Sequence, residues 1–286
     1  MIKFGTAGIP IGATTTENSF EYLKKLNLDA MELEFVRSVH LKVEKAKYLS
    51  KLTEDISLSA HAPYYINLNA KEEEKVNSSI VRILKSCEVM DVFAKNITSK
   101  NKKMDSKIGI VYHPGFYLKQ DKNEVYQKIK ENTKRIIELK NKMDYDVILR
   151  PETTGKITQF GTVEELVNLS NELGNENILP CIDFSHIYAR SLGKINNYDE
   201  FYKIIEYLDA NIGKKCIKNM HMHVSGIDFG NSGEKKHYPL DNSSSKFNYK
   251  DLIKVLKDFE VSGTIICESP CLEHDALILK NYYENL

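Results

Sequence analysis

Six short apolar runs in this chain end on a side chain that can hold a metal: Leu58 to His61, Ile108 to His113, Val147 to Glu152, Ile178 to Asp183, Ile217 to His223 and Thr264 to Glu268. A buried strand needs its apolar residues, but packing alone gives no reason for strand after strand to stop at an imidazole or a carboxylate. Stretches with helical periodicity lie between these runs, so strand and helix alternate along the chain. That alternation restricts the fold to parallel α/β architectures, in which the loops after the strands gather on one face.

Strands are predicted at Ile2–Gly5, Ala30–Phe35, Ile56–Ala60, Ile108–Tyr112, Tyr145–Leu149, Ile178–Ile182, Cys216–Val224 and Ser262–Cys267. In the second of these Met31, Leu33 and Phe35 alternate with Glu32 and Glu34. Helices are predicted over Leu41–Leu52, Lys71–Val92, Asn123–Leu139 and Leu272–Tyr283. Cap spacing marks four more starts: Thr14 with Glu17, Thr162 with Glu165, Asn197 with Glu200, and Asn248 with Asp251. The segment from Asn96 to Lys107 reads as a polar surface connection, and Ser225 to Phe247 as an exposed loop. Eight strand-helix units favour a closed (β/α)8 TIM barrel over an open Rossmann sheet, as one domain over residues 1–286.

Forty basic and forty acidic residues cancel, which argues against a generally basic nucleic-acid surface and leaves room for a local groove. There is no apolar run of about 18 residues, and Met1–Gly5 enters a strand directly. An intracellular protein with neither membrane span nor secretory signal is therefore expected. Five cysteines without zinc-knuckle spacing read as reduced core thiols. No feature demands an obligate protein partner, so a monomer is expected.

In a barrel, His61, His113, Glu152, Asp183, His221 and Glu268 would surround one pocket although they are far apart in sequence. Imidazole nitrogen and carboxylate oxygen together suit zinc or manganese. Asp183 and His186 form an Asp-x-x-His pair that can serve neighbouring ions, and His221 and His223 share one side of a strand. Glu234 and His237, on the following loop, can complete an outer site.

These motifs resemble the endonuclease IV family of apurinic/apyrimidinic endonucleases, within the xylose-isomerase-like barrels. The likeness runs over the whole chain and rests on Ser59–Leu68 (SAHAPYYINL), Tyr112–Gly115 (YHPG), Pro151–Gly155 (PETTG), Cys181–His186 (CIDFSH), Met220–His223 (MHMH) and Glu268–Pro270 (ESP). It implies three divalent metal ions, zinc with manganese as the alternative, and cleavage of the phosphodiester 5′ to an abasic site in duplex DNA, leaving a 3′-OH and a 5′-deoxyribose phosphate. By the same likeness His61 and His113 hold one metal and Glu152 bridges it to a second. Asp183, His221 and Glu268 complete that second site, and His186 serves the third with Glu234 and His237. The family has an Asp-x-His pair where this chain has Glu234-Lys235-Lys236-His237. His223 stands where the family can carry an amide, so it is expected to support the ligands rather than bind metal.

Glu152 and Glu268 are the expected catalytic carboxylates, Glu152 positioning the metal-activated water and Glu268 a ligand that could assist proton movement, while the cations neutralise the departing oxygen. Phe35, Arg37, Tyr65 and Asn67 are candidate DNA contacts that could fill or border an abasic position. Lys156, Arg190 and Lys235 are candidates for phosphate. The same barrel could instead hold a sugar isomerase or epimerase, since a fold does not decide a reaction. A noncatalytic DNA-binding protein is a third reading, which would bind lesions without metal-dependent cleavage.

Overall fold

A computed structural model describes residues 1–53, 55–99 and 107–286. Eight parallel strands form its sheet: β1 (Ile2–Ala7), β2 (Ala30–Glu34), β3 (Ser57–His61), β4 (Ile108–Tyr112), β5 (Val147–Pro151), β6 (Cys181–Asp183), β7 (Met220–Val224) and β8 (Gly263–Cys267). They hydrogen-bond in the order β5-β4-β3-β2-β1-β8-β7-β6, which is the order of a TIM barrel. Leu149 in β5 also makes a parallel bridge to Ile178, just before β6, so the strands nearly close into a ring. Strands such as β4 and β5 are buried at every residue. That is why they read as continuous apolar runs rather than alternating ones.

By internal contacts the chain comprises two compact units. The first holds Met1–Glu32, Thr153–Ile157 and Cys181–Leu286. Within it β1 lies parallel to β8, from Ile2 against Gly263 to Thr6 against Cys267. The last helix, Glu273–Glu284, starts with the Glu273 carboxylate accepting backbone N–H groups of Ile11 and Gly12 at 2.8 and 2.9 Å. Lys280 further along that helix reaches Asp29 at 3.0 Å. The helix Tyr198–Asn211 is capped by Asn197, and Tyr249–Asp258 by Asn248.

The second unit holds Leu33–Glu152 and Thr158–Pro180. Its long helices are Glu73–Ser99 and Lys122–Lys142. Val125, Ile129, Ile136 and Ile137 form the buried stripe of the latter, each such burial being worth about 1.5–3 kcal/mol. Thr162 and Glu165 make a reciprocal capping box at the start of Val163–Leu173.

Several expected boundaries shift. Thr15, not Thr14, caps the first helix, Thr16–Lys25. The helix Glu73–Ser99 runs through Asn96, where a surface connection was expected, and residues 100–106 of that connection lie outside the described residues. The predicted strand Cys216–Val224 divides into a short helix, Lys214–Ile217, and β7. The expected loop after β7 contains an antiparallel hairpin, Gly226–Gly230 with Gly233–Tyr238.

All five cysteines are free thiols, and Cys87, Cys181, Cys216 and Cys267 are buried. Burial pushes the Cys87 and Cys267 thiols up to about 12, so they are inert core groups. Among the described residues no helix is long and apolar enough to cross a membrane.

Candidate metal centre

In the second unit three strand ends converge. His61 closes β3, His113 follows β4 and Glu152 follows β5. The Glu152 N–H donates to the Tyr112 carbonyl at 3.0 Å, which carries the hydrogen-bond pattern of β5 one residue beyond its end. Oε2 of Glu152 lies 3.2 Å from Nε2 of His61 and 2.9 Å from Nε2 of His113. His61 Nδ1 donates to the Ala62 carbonyl at 2.7 Å, which turns Nε2 toward the cluster. The three donor atoms lie within 4.8 Å of one another, a spacing that fits one cation at about 2.0–2.2 Å from nitrogen and oxygen ligands. Glu152 is wholly buried and His61 nearly so, and water competes poorly with a ligand there.

A second cluster, His186 with Glu234 and His237, lies in the first unit and meets the same spacing test. Asp183 at the end of β6 caps the helix Phe184–Arg190 by accepting the His186 N–H at 2.7 Å, and its other oxygen is 3.3 Å from His186 Nδ1. His186 Nδ1 also donates to the Thr153 carbonyl at 2.9 Å, leaving Nε2 directed at Glu234 Oε2, 3.5 Å away. Glu234 and His237 come from one strand of the hairpin, three residues apart. In a regular strand an odd spacing puts side chains on opposite faces. Here the pairing runs Asp228 with Lys236 and then Phe229 with Glu234, so Lys235 is an extra residue in a β-bulge. The bulge offsets the added residue of the Glu-x-x-His spacing, and both side chains reach one cluster.

Gly155 supports this cluster because a Cβ there would stand 2.6 Å from Glu234 Cβ and 2.7 Å from its Oε2. Gly155→Ala is therefore expected to displace Glu234 and to weaken metal binding at this cluster by roughly 10–100-fold. Metal content measured after dialysis against limiting zinc should drop by one equivalent. A full complement in the variant would remove the role given to Gly155.

A third set of donors sits in the first unit around Glu32, which the sequence reading passed over. His221 and His223 both point from β7 toward it: Glu32 Oε2 is 2.8 Å from His221 Nε2, and Oε1 is 3.0 Å from His223 Nε2. Burial opposes the charge on Glu32, but His223 and His221 outweigh burial and hold it far below the usual carboxylate range. His223 Nδ1 lies 3.1 Å from Glu268 Oε1. The register sets His221 level with Cys181 and His223 level with Asp183, nearer the polar end of the strand. The cluster with Glu268 is accordingly formed by His223 and Glu32, while His221 clusters with Cys181 and His223. His223 thus stands nearer Glu268 than His221 does, since a shift of two residues along a strand moves a side chain by about 7 Å, and both histidines belong to groups that could hold a metal. Cys181, expected as plain core, stands among nitrogen donors.

The candidate DNA contacts separate. Tyr65 is 65% exposed, and Lys156 and Lys235 are also exposed. Phe35 is buried at 2% exposure, so it is a core residue with no face for a ligand. The Asn67 side-chain oxygen accepts the Asn69 N–H at 3.0 Å and shapes its own loop. Arg190 donates to Thr154 Oγ1 at 3.0 Å and to the Lys156 carbonyl at 2.6 Å, holding the Gly155 segment instead of reaching outward. Arg37 lines a groove beside the helix Glu73–Ser99.

A family model described as a xylose isomerase-like TIM barrel matches residues 20–282. The chain is 52% identical, over all of its 286 residues and 98% of the relative, to an uncharacterized protein of Methanocaldococcus jannaschii. It is 28% identical over 193 residues to a probable endonuclease 4 of Methanosphaera stadtmanae, a match spanning 66% of this chain and 62% of that one. Among solved structures a D-tagatose 3-epimerase-like protein superposes with a TM-score of 0.73 at 22% identity, covering 99% of this chain and 98% of that one.

Proposed function

Since this chain belongs to the xylose isomerase-like TIM-barrel family, we propose that it is a divalent-metal phosphodiesterase cleaving duplex DNA 5′ to an abasic site. The supporting observation is the presence of two three-donor clusters, His61–His113–Glu152 and His186–Glu234–His237, in addition to the Glu32–His223–Glu268 donors. Cations held there would neutralise phosphate oxygens and make water more acidic. A phosphodiester in displacement carries more negative charge than a sugar, so several cation sites suit it better. Within this reading Glu152 draws His61 and His113 onto one oxygen. Glu268, with one oxygen at His223 and the other 3.9 Å from His237 Nδ1, is the second carboxylate able to take up a proton.

A second reading, a metal-dependent sugar epimerase, is favoured by the full-length superposition on the D-tagatose 3-epimerase-like protein. The comparisons with solved structures lean toward it, whereas the number of donor clusters leans toward the phosphodiesterase. Epimerisation needs one cation and a carboxylate pair to exchange a proton.

One experiment separates them. Labelled duplexes with and without a central abasic analogue are incubated with the protein before and after chelation, beside D-tagatose followed by chromatography. Lesion-dependent incision that is lost on chelation and restored by zinc or manganese is expected. Sugar turnover without incision would transfer the assignment to the second reading.

A further inference from the structure

Of the five arginines, Arg135, Arg150 and Arg190 donate to acceptors within the protein. Among the described residues Arg37 and Arg82 make no side-chain hydrogen bond or ion pair, and both line the same groove of about 670 Å³, together with Lys85. A guanidinium carries five donors in a fork that matches phosphate, and a half-buried one such as Arg82 loses water without compensation unless an anion arrives.

The groove is built by helical periodicity. Glu74, Ser78, Arg82 and Lys85 recur every three or four residues along Glu73–Ser99, so they share one stripe, while Val76, Ile80, Ile83 and Cys87 are buried on another. Arg37 supplies the facing wall from the loop after β2. That loop is bound to the end of β3, where His61 lies: the Phe35 N–H donates to the His61 carbonyl at 3.1 Å and the Tyr64 N–H to the Val36 carbonyl at 3.0 Å. Three cations face the lone carboxylate of Glu74.

We infer that this groove binds the phosphate backbone of a nucleic-acid strand whose scissile segment lies at the His61–His113–Glu152 cluster. The inference rests on the phosphodiesterase reading and adds a strand-holding surface to it. Contacts of this kind are electrostatic and sequence-independent, each lowering the slope of log K against log salt by about 0.9.

The test uses the full-length protein with its metals and an undamaged fluorescent duplex, so that binding is read without incision. Arg82→Gln with Lys85→Gln should flatten the salt dependence by about two and weaken binding at low salt. Arg37→Gln with Lys85→Gln, on two exposed side chains, should do the same and guards against misfolding of the Arg82 variant. Unchanged slopes in both pairs would overturn the inference, as would displacement of the duplex by inorganic phosphate at constant ionic strength, the mark of a small-anion pocket. Flattened slopes without any lesion incision would leave the groove standing and defeat the phosphodiesterase reading. Persistent incision with unchanged slopes would do the reverse.

Discussion

Glu152→Gln is expected to release one equivalent of divalent metal and to lower lesion incision by more than about a hundredfold. Loss of a group that merely supports a metal ligand costs about 10–100-fold, and Glu152 is itself a candidate ligand. Its Oε2 lies 3.2 Å from His61 Nε2 and 2.9 Å from His113 Nε2, so an amide there removes the anion on which both imidazoles converge. An amide keeps the size of the side chain, and the fold should survive. Metal content by elemental analysis and incision rate should fall together. Full metal content with an undiminished rate would show that the cluster plays no part in the reaction.

The largest stability effect is expected at Glu32→Gln. Both oxygens of this wholly buried carboxylate face imidazoles, and breaking one partner out of a buried ionic group costs about 3–5 kcal/mol. The variant should unfold at distinctly lower urea, with the slope of the transition unchanged. It should also loosen His223, whose other nitrogen meets Glu268, and so reduce metal retention near that residue. A urea midpoint equal to that of the parent would mean that the Glu32 network contributes no net stability.

Glu32 shows where sequence reasoning loses its grip. The alternation of Met31, Leu33 and Phe35 with Glu32 and Glu34 suggests a strand with one wet face. In a parallel barrel both faces are buried, and Glu32 is buried as fully as Met31. What made a buried glutamate affordable was a pair of histidines some 190 residues later, a relation that local periodicity does not carry. The pairing of both His221 and His223 with Glu32 was hidden for the same reason, because the shared face of the strand is legible in the sequence and the residue it meets is not.

Other features were plain. The capping box at Thr162 and Glu165 is a local device, and it formed as the spacing foretold. Strand ends bearing His61, His113 and Glu152 were visible because apolar runs stop abruptly there. The hairpin after β7 was missed because its bulge at Lys235 breaks the alternation by which a strand is recognised. The same irregularity explains how Glu234 and His237 come together.

The pairing of β1 with β8 has a bearing on how the protein is made. As the chain emerges, Ile2–Thr6 presents one rim of unmatched amides and carbonyls until Gly263–Cys267 has been synthesised. An interrupted product ending before that point would keep an open template for other polypeptides, and self-association of such fragments is the hazard this topology carries.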